Sequence, residues 1–211
     1  MIAQEGWTRI FFFALLAFGM QIFVGTIWAL PFWLLLLLVI QFFRDPHRKI
    51  TRQPGAIVSP AHGRVIAIEN VVDPYIERRA VKVSIFMNIF SVHSNRTPVH
   101  GVVVQKWYKK GQFFNASLDK ASDLNERSAV HFRTNDGYDV TSVQIAGLLA
   151  RRILCYLQNG QKVKRGQRYG FIRFGSRVDL YLPEDTYVVA QLGRWVLSGT
   201  DIIGFLPISE H

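Results

Sequence analysis

The stretch 10–43 constrains this chain more than any other. It is apolar throughout except for Gln21, Thr26, Gln41 and scattered glycines, so it has to be withdrawn from water. As one straight helix it would run about 50 Å, well beyond a bilayer core of about 30 Å. Gly25-Thr26 interrupts it near the middle and Pro31 follows, which predicts two short helices in a hairpin, each somewhat short for a full crossing. One tilted span and a buried helical pair in a soluble core are the alternatives. The run is too long for a signal peptide, and no small-residue cleavage site follows it. Arg44, Arg48 and Lys49 come directly after it. They mark that end as cytoplasmic, and a hairpin returns Arg9 to the same side. Trp7, Trp28 and Trp33 suit interfacial positions. The expectation is a membrane-associated hairpin over 1–43 and a separate domain over 44–211.

The formal charge is +10, and residues 1–43 carry only Glu5 and Arg9, so the whole excess sits on the second part. Such a balance favours anionic partners. The aromatic residues lie in strand-like runs and in the apolar segment, which argues for anionic membrane lipid and against nucleic acid. A single cysteine, Cys155, excludes an internal disulfide and a multi-cysteine metal site; it reads as a small core residue. His62, His93 and His100 have no cysteine or carboxylate at ligand spacing, so no metal is expected. No glycine-rich phosphate loop is present.

Beyond a linker of arginines, prolines and Gly55, strand-like runs follow one another: 64–72, 79–90, 101–109, 129–134, 138–146, 169–174, 176–183 and 186–192. Asn135-Asp136-Gly137 is a strong hairpin signal between two of them. Asn159-Gly160 and Arg165-Gly166 mark further turns. The segment 145–157 is ambiguous between helix and strand. The second part is therefore expected to be mainly β, a lipoyl-like or hybrid β-barrel-type domain behind the apolar helical hairpin.

Four polar islands interrupt the strands: Ser59-Pro60-Ala61-His62-Gly63-Arg64, the stretch 90–101 with His93, Arg96 and His100, the stretch 114–127 with Asn115, Lys120 and Asn125, and Gly175-Ser176. Polar groups on loops held by a β scaffold are what a site needs. The Gly175-Ser176 bond enters an apolar, alternating strand, and by itself it is either an ordinary turn or a point of self-cleavage.

These islands, in this order, resemble the phosphatidylserine decarboxylase family in its short bacterial and archaeal form. The likeness is clearest in the 115–127 block and in Arg173-Phe174-Gly175-Ser176-Arg177. It implies an enzyme made as a proenzyme, whose Ser176 attacks the Gly175 carbonyl. The chain then splits into a β chain, 1–175, and an α chain, 176–211, with a pyruvoyl group at the new end as the sole cofactor. That ketone would take up the amine of phosphatidylserine as a Schiff base and act as an electron sink while CO₂ departs, giving phosphatidylethanolamine. The resemblance makes His93 the proton donor. It places Arg96 on the substrate phosphate or carboxylate, and it has Asn115, Lys120 and Asn125 shape the headgroup pocket. His100 and His131 read as structural or surface groups.

The implied partners are phosphatidylserine, anionic membrane lipid and the two chains of the same precursor, with a homodimer left open. The implied location is the inner or cytoplasmic membrane, catalytic domain on the cytoplasmic side. One position departs from the family pattern. Where that pattern has aspartate, this chain has His62, which keeps a proton acceptor but loses a fixed negative charge. His62 is thus either a base for Ser176 or the cause of a stalled, lipid-binding precursor.

Overall fold

A computed structural model of the chain describes residues 1–116, 124–148, 153–173 and 175–207. It divides into two compact units, Met1–His47 and Arg48–His211.

In the first unit a short 3₁₀ turn leads into helix α1 (Trp7–Phe23), and α2 (Thr26–Phe42) runs back from it. Each helix has 17 residues, about 26 Å at 1.5 Å per residue, slightly less than a bilayer core. With the 3₁₀ turn, Gln4–Phe23 is long and apolar enough to cross a membrane. Ala17 and Ala29 are wholly buried, and Phe18 meets Trp33 edge-on at 4.9 Å. Small residues at the contact let two apolar helices approach closely. Their remaining surface, including Phe11, Phe12, Leu15, Leu34 and Leu37, is exposed hydrocarbon.

Fourteen strands make up the described part of the second unit. In chain order they are β1 (Ala56–Val58), β2 (Gly63–Asp73), β3 (Arg78–Met87), β4 (Ser94–Arg96), β5 (Gly101–Lys109), β6 (Arg127–Arg133) and β7 (Asp139–Ile145). Then come β8 (Ile153–Cys155), β9 (Lys162–Val163), β10 (Arg168–Ile172), β11 (Ser176–Pro183), β12 (Tyr187–Val188), β13 (Trp195–Val196) and β14 (Ile202–Phe205). Eight of them form a curled half-barrel in the order β13-β2-β3-β11-β7-β6-β5-β9. Two three-stranded sheets, β1-β14-β12 and β4-β10-β8, complete the unit. All pairings between named strands are antiparallel.

Each of the eight expected runs contains a strand, though the last is only the two residues of β12. In the ambiguous segment Ile153–Cys155 is strand, paired with β10. The Asn135-Asp136-Gly137 hairpin joins β6 to β7 in register, with Arg133 opposite Asp139. Gly137 takes the left-handed φ of 83° that this turn requires.

Strand β11 lies between β3 and β7 and is buried along its whole length. Alternation divides its side chains between two faces. Val178, Leu180 and Leu182 join Val83, Ile85 and Met87 in the main core, while Tyr181 packs with Ala80, Ala129, Val143 and Ile145 on the other side. Cys155 is partly buried against the main core.

Candidate functional site

The first residue of β11 is Ser176, opposite Met87 of β3. By alternation its side chain shares the face of Val178 and Leu180, towards the main core. It is wholly inaccessible to solvent, and among the described residues its Oγ has no hydrogen-bond partner. A buried hydroxyl left unsatisfied costs about 1–3 kcal/mol, and such orphans mark strain or chemistry. Gly175, just before it, has φ +60°, a left-handed conformation that glycine adopts without a Cβ penalty. The strand thus begins with an unpartnered nucleophile directly beyond a carbonyl held in an unusual backbone geometry.

Three chain segments close around this end of the half-barrel. The first is β4 with the residues before it. Its Asn95 reaches the sulfur of Met87 at 3.9 Å and accepts a hydrogen bond from Gln144 Nε2 at 2.8 Å. His93 is two residues earlier and wholly buried, its ring 6.2 Å from that of Phe171. Its carbonyl accepts the Ile172 N–H at 3.3 Å, which ties it to the strand leading to the Gly175-Ser176 bond.

The second is the start of β2. His62 Nδ1 accepts the N–H of Val92 at 3.0 Å, and its ring meets Trp195 edge-on at 5.9 Å. A neutral imidazole has one lone-pair nitrogen, and here that nitrogen is engaged by a backbone donor. His62 therefore braces the residue before His93. The strand that follows His62, β2, lies two strand spacings from β11, about 10 Å in backbone terms.

The third is the loop 111–116. Asn125 is 1% exposed and donates to the carbonyls of Phe114 (2.8 Å) and Ala146 (2.7 Å), while its Oδ1 accepts the Phe114 N–H (2.8 Å). All three groups of its amide head are committed to holding this loop against the end of β7. Asn115 is exposed on the same loop, next to the buried Ala116. Lys120 lies outside the described residues.

Arg96 is placed differently. It falls on the opposite side of β4 from Asn95, its Nη1 donating to the Gly166 carbonyl at 3.1 Å. The geometry therefore gathers Gly175, Ser176, His62, His93, Asn115 and Asn125 at one end of the sheet and turns Arg96 to another contact. His100 and His131 lie elsewhere. His100 Nδ1 accepts the Arg165 N–H at 3.3 Å, and burial, Arg165 and Lys164 hold its pKa below the usual histidine value. His131 is 2.7 Å from Asp139 in the β6–β7 hairpin.

The motif reading passed over several residues of the site. Arg177 and Asp179 form a bidentate pair at 2.7 and 2.8 Å, wholly buried on the face opposite Ser176. Burial pushes the Asp179 carboxyl up, and Arg177 pulls it back. Two opposite charges at i and i+2 in an apolar strand share a face, so this pair was readable. Asn95 and Gln144 left no such local sign. Among the described residues no group of three or more His, Cys, Asp or Glu is placed to hold a metal ion.

A family model described as phosphatidylserine decarboxylase matches residues 35–204. A phosphatidylserine decarboxylase proenzyme of Aromatoleum aromaticum is 55% identical over 207 residues, 98% of this chain and 96% of that protein. Proteins of the same name from Nitrosomonas europaea and Burkholderia multivorans are 54% and 52% identical, covering 96% and 98% of this chain and 94% and 96% of their own lengths. The match takes in β11 and every segment gathered around Ser176, and on that ground the chain belongs to the phosphatidylserine decarboxylase family.

Proposed function

We propose that this chain is the precursor of a pyruvoyl-dependent phosphatidylserine decarboxylase and cuts itself between Gly175 and Ser176. The observation that carries the reading is the buried Ser176 Oγ, without a hydrogen-bond partner among the described residues, immediately after Gly175 at φ +60°. That geometry fits a serine that becomes a cofactor. Its Oγ forms a bond to the Gly175 carbonyl carbon, the C–N bond breaks, and the proton of the hydroxyl passes to the freed nitrogen. The resulting ester loses the Cα proton of residue 176 and expels the Gly175 carboxylate, leaving dehydroalanine. Water then replaces the nitrogen of the dehydroalanine, ammonia leaves, and a ketone remains on residue 176. The committed lone pair of His62 favours a bracing role over that of base.

Once formed, the pyruvoyl group supplies an electron sink for the carbanion left as CO₂ departs. His93, enclosed and anchored beside β10, supplies the proton that completes phosphatidylethanolamine. Asn125 holds the headgroup pocket in shape through the loop bearing Asn115. Residues 1–43 serve as the membrane anchor and 44–211 as the catalytic domain. The Arg44, Arg48 and Lys49 cluster favours the cytoplasmic face, and the net positive charge favours anionic lipid.

Intact mass of the purified protein, paired with CO₂ release from phosphatidylserine vesicles, tests the proposal. The expected result is two fragments, 1–175 and 176–211, the second blocked by pyruvoyl, with release of CO₂. Ser176→Ala should give one unbroken, inactive chain. Full activity in that variant would refute the proposal.

A further inference from the structure

Gly147 follows the last strand residues of β7 by two positions and is buried. A Cβ on it would stand 1.6 Å from the carbonyl oxygen of Gly175 and 2.6 Å from its carbonyl carbon. No side chain can share that space, and the obstacle is backbone, so a rotamer change cannot relieve it. The oxygen lies no farther than about 3.1 Å from the Gly147 Cα, since a C–C bond spans about 1.5 Å. It therefore sits directly against a Cα–H, closer than the roughly 3.3–3.6 Å of an ordinary Cα–H···O contact.

The seat is held on both sides. Ala146 donates its N–H to the Glu126 carbonyl at 2.9 Å, and its own carbonyl accepts Asn125 Nδ2 at 2.7 Å. The Ala116 methyl would be 3.4 Å from the same Cβ position. The backbone at 146–147 is thus pinned by the loop that closes over the site, and its bare Cα faces the carbonyl that Ser176 would attack.

We propose that Gly147 is a positioning residue for self-cleavage, its missing side chain forming the seat that fixes the Gly175 carbonyl beside Ser176. This rests on the self-cleavage reading above. As Ser176 Oγ adds, the carbonyl oxygen takes on negative charge, and the Cα–H in the seat lies against that oxygen. A methyl group at 147 displaces the carbonyl and with it the angle of attack. After cleavage the constraint ends, because the Gly175 carboxylate is a free chain end.

The test follows the splitting of newly made wild-type, Gly147→Ala and Leu148→Ala chains by intact mass, with melting curves against uncleaved Ser176→Ala. Leu148 is 64% exposed and serves as the neighbouring control. Gly147→Ala should split at least about tenfold more slowly, by the link between misplacement and rate. It should melt cooperatively near the Ser176→Ala precursor, and its split fraction should match wild type in activity per pyruvoyl group. Leu148→Ala should split normally. Gly147→Ala splitting as fast as wild type overturns the proposal. Loss of its cooperative melt also overturns it, since glycine would then serve the fold and not the bond. A wild-type chain that stays whole defeats the self-cleavage reading itself, a different outcome from either.

Discussion

The two ends of the half-barrel are built on opposite principles. At the β6–β7 turn, Asp139 answers Arg133 at 2.9 Å and His131 at 2.7 Å, Thr134 and Tyr138 close the turn, and a Cβ on Gly137 would meet nothing within 4 Å. The polar groups named here are partnered within the turn or across its two strands. At the Ser176 end a hydroxyl is buried without a partner among the described residues, a carbonyl occupies the space of a side chain, and a full ion pair lies out of water on the other face of the strand. The first end is arranged for folding. The second accepts costs that folding alone would not select, as expected where strain is kept for chemistry.

The comparison can be broken most forcefully at the ion pair. Arg177→Met leaves the Asp179 carboxyl buried without the Arg177 cation, which should cost about 3–5 kcal/mol, whereas replacing both residues by apolar ones of similar volume should be close to neutral. Denaturant unfolding in detergent of the single and double variants, each in the Ser176→Ala background, measures the difference. A single variant as stable as its parent would mean that the pair is not desolvated.

Asn125→Ala comes next. It strands the Ala146 carbonyl and both polar groups of Phe114, at a cost of about 2–3 kcal/mol, and it should slow splitting because the 146–147 backbone loses its brace. Time-resolved mass analysis that shows loss of stability with normal splitting would separate the loop from the cleavage geometry.

At the other end, Gly137→Ala should cost about 1 kcal/mol through its positive φ and leave the splitting rate unchanged, read in the same assays.

The smallest effect belongs to pH. Burial works against the Asp139 carboxylate, but Arg133 and His131 outweigh it and hold its pKa below the usual range. A carboxyl depressed in the folded state stabilises fully above its unfolded pKa, about 3.9, and that contribution is lost as pH falls through the folded value. Asp139→Asn should therefore lower the melting temperature slightly at pH 7, and the gap should close in acid. A gap that persists below pH 3 would assign the effect to packing.

The half-barrel was legible to different depths at its two ends. Asn135-Asp136-Gly137 announced its turn because turn chemistry is a property of three adjacent residues. The strand runs showed through a period of two, and Ser176 was singled out because it sits in a specific motif. The interplay of His62 with Val92 was not legible: thirty residues separate them, and an acceptor nitrogen can face many donors. Arg96 is a further case, since one N–H of its guanidinium meets the Gly166 carbonyl, a partner seventy residues away that no local pattern announces. Gly147 looked like any glycine in a loop, since its backbone needs no unusual φ and only the neighbour decides.

By itself the sequence determined the apolar hairpin, the mainly β second unit, the family and the bond at issue. Those follow from local patterning and from residues that act in fixed order along the chain. Only the tertiary structure decided that Ser176 is sealed from solvent, that His62 spends its lone pair on Val92, and that the Gly175 carbonyl rests on Gly147. Each of these depends on which backbone atoms distant segments bring into contact, and that is fixed by the packing of β11 between β3 and β7.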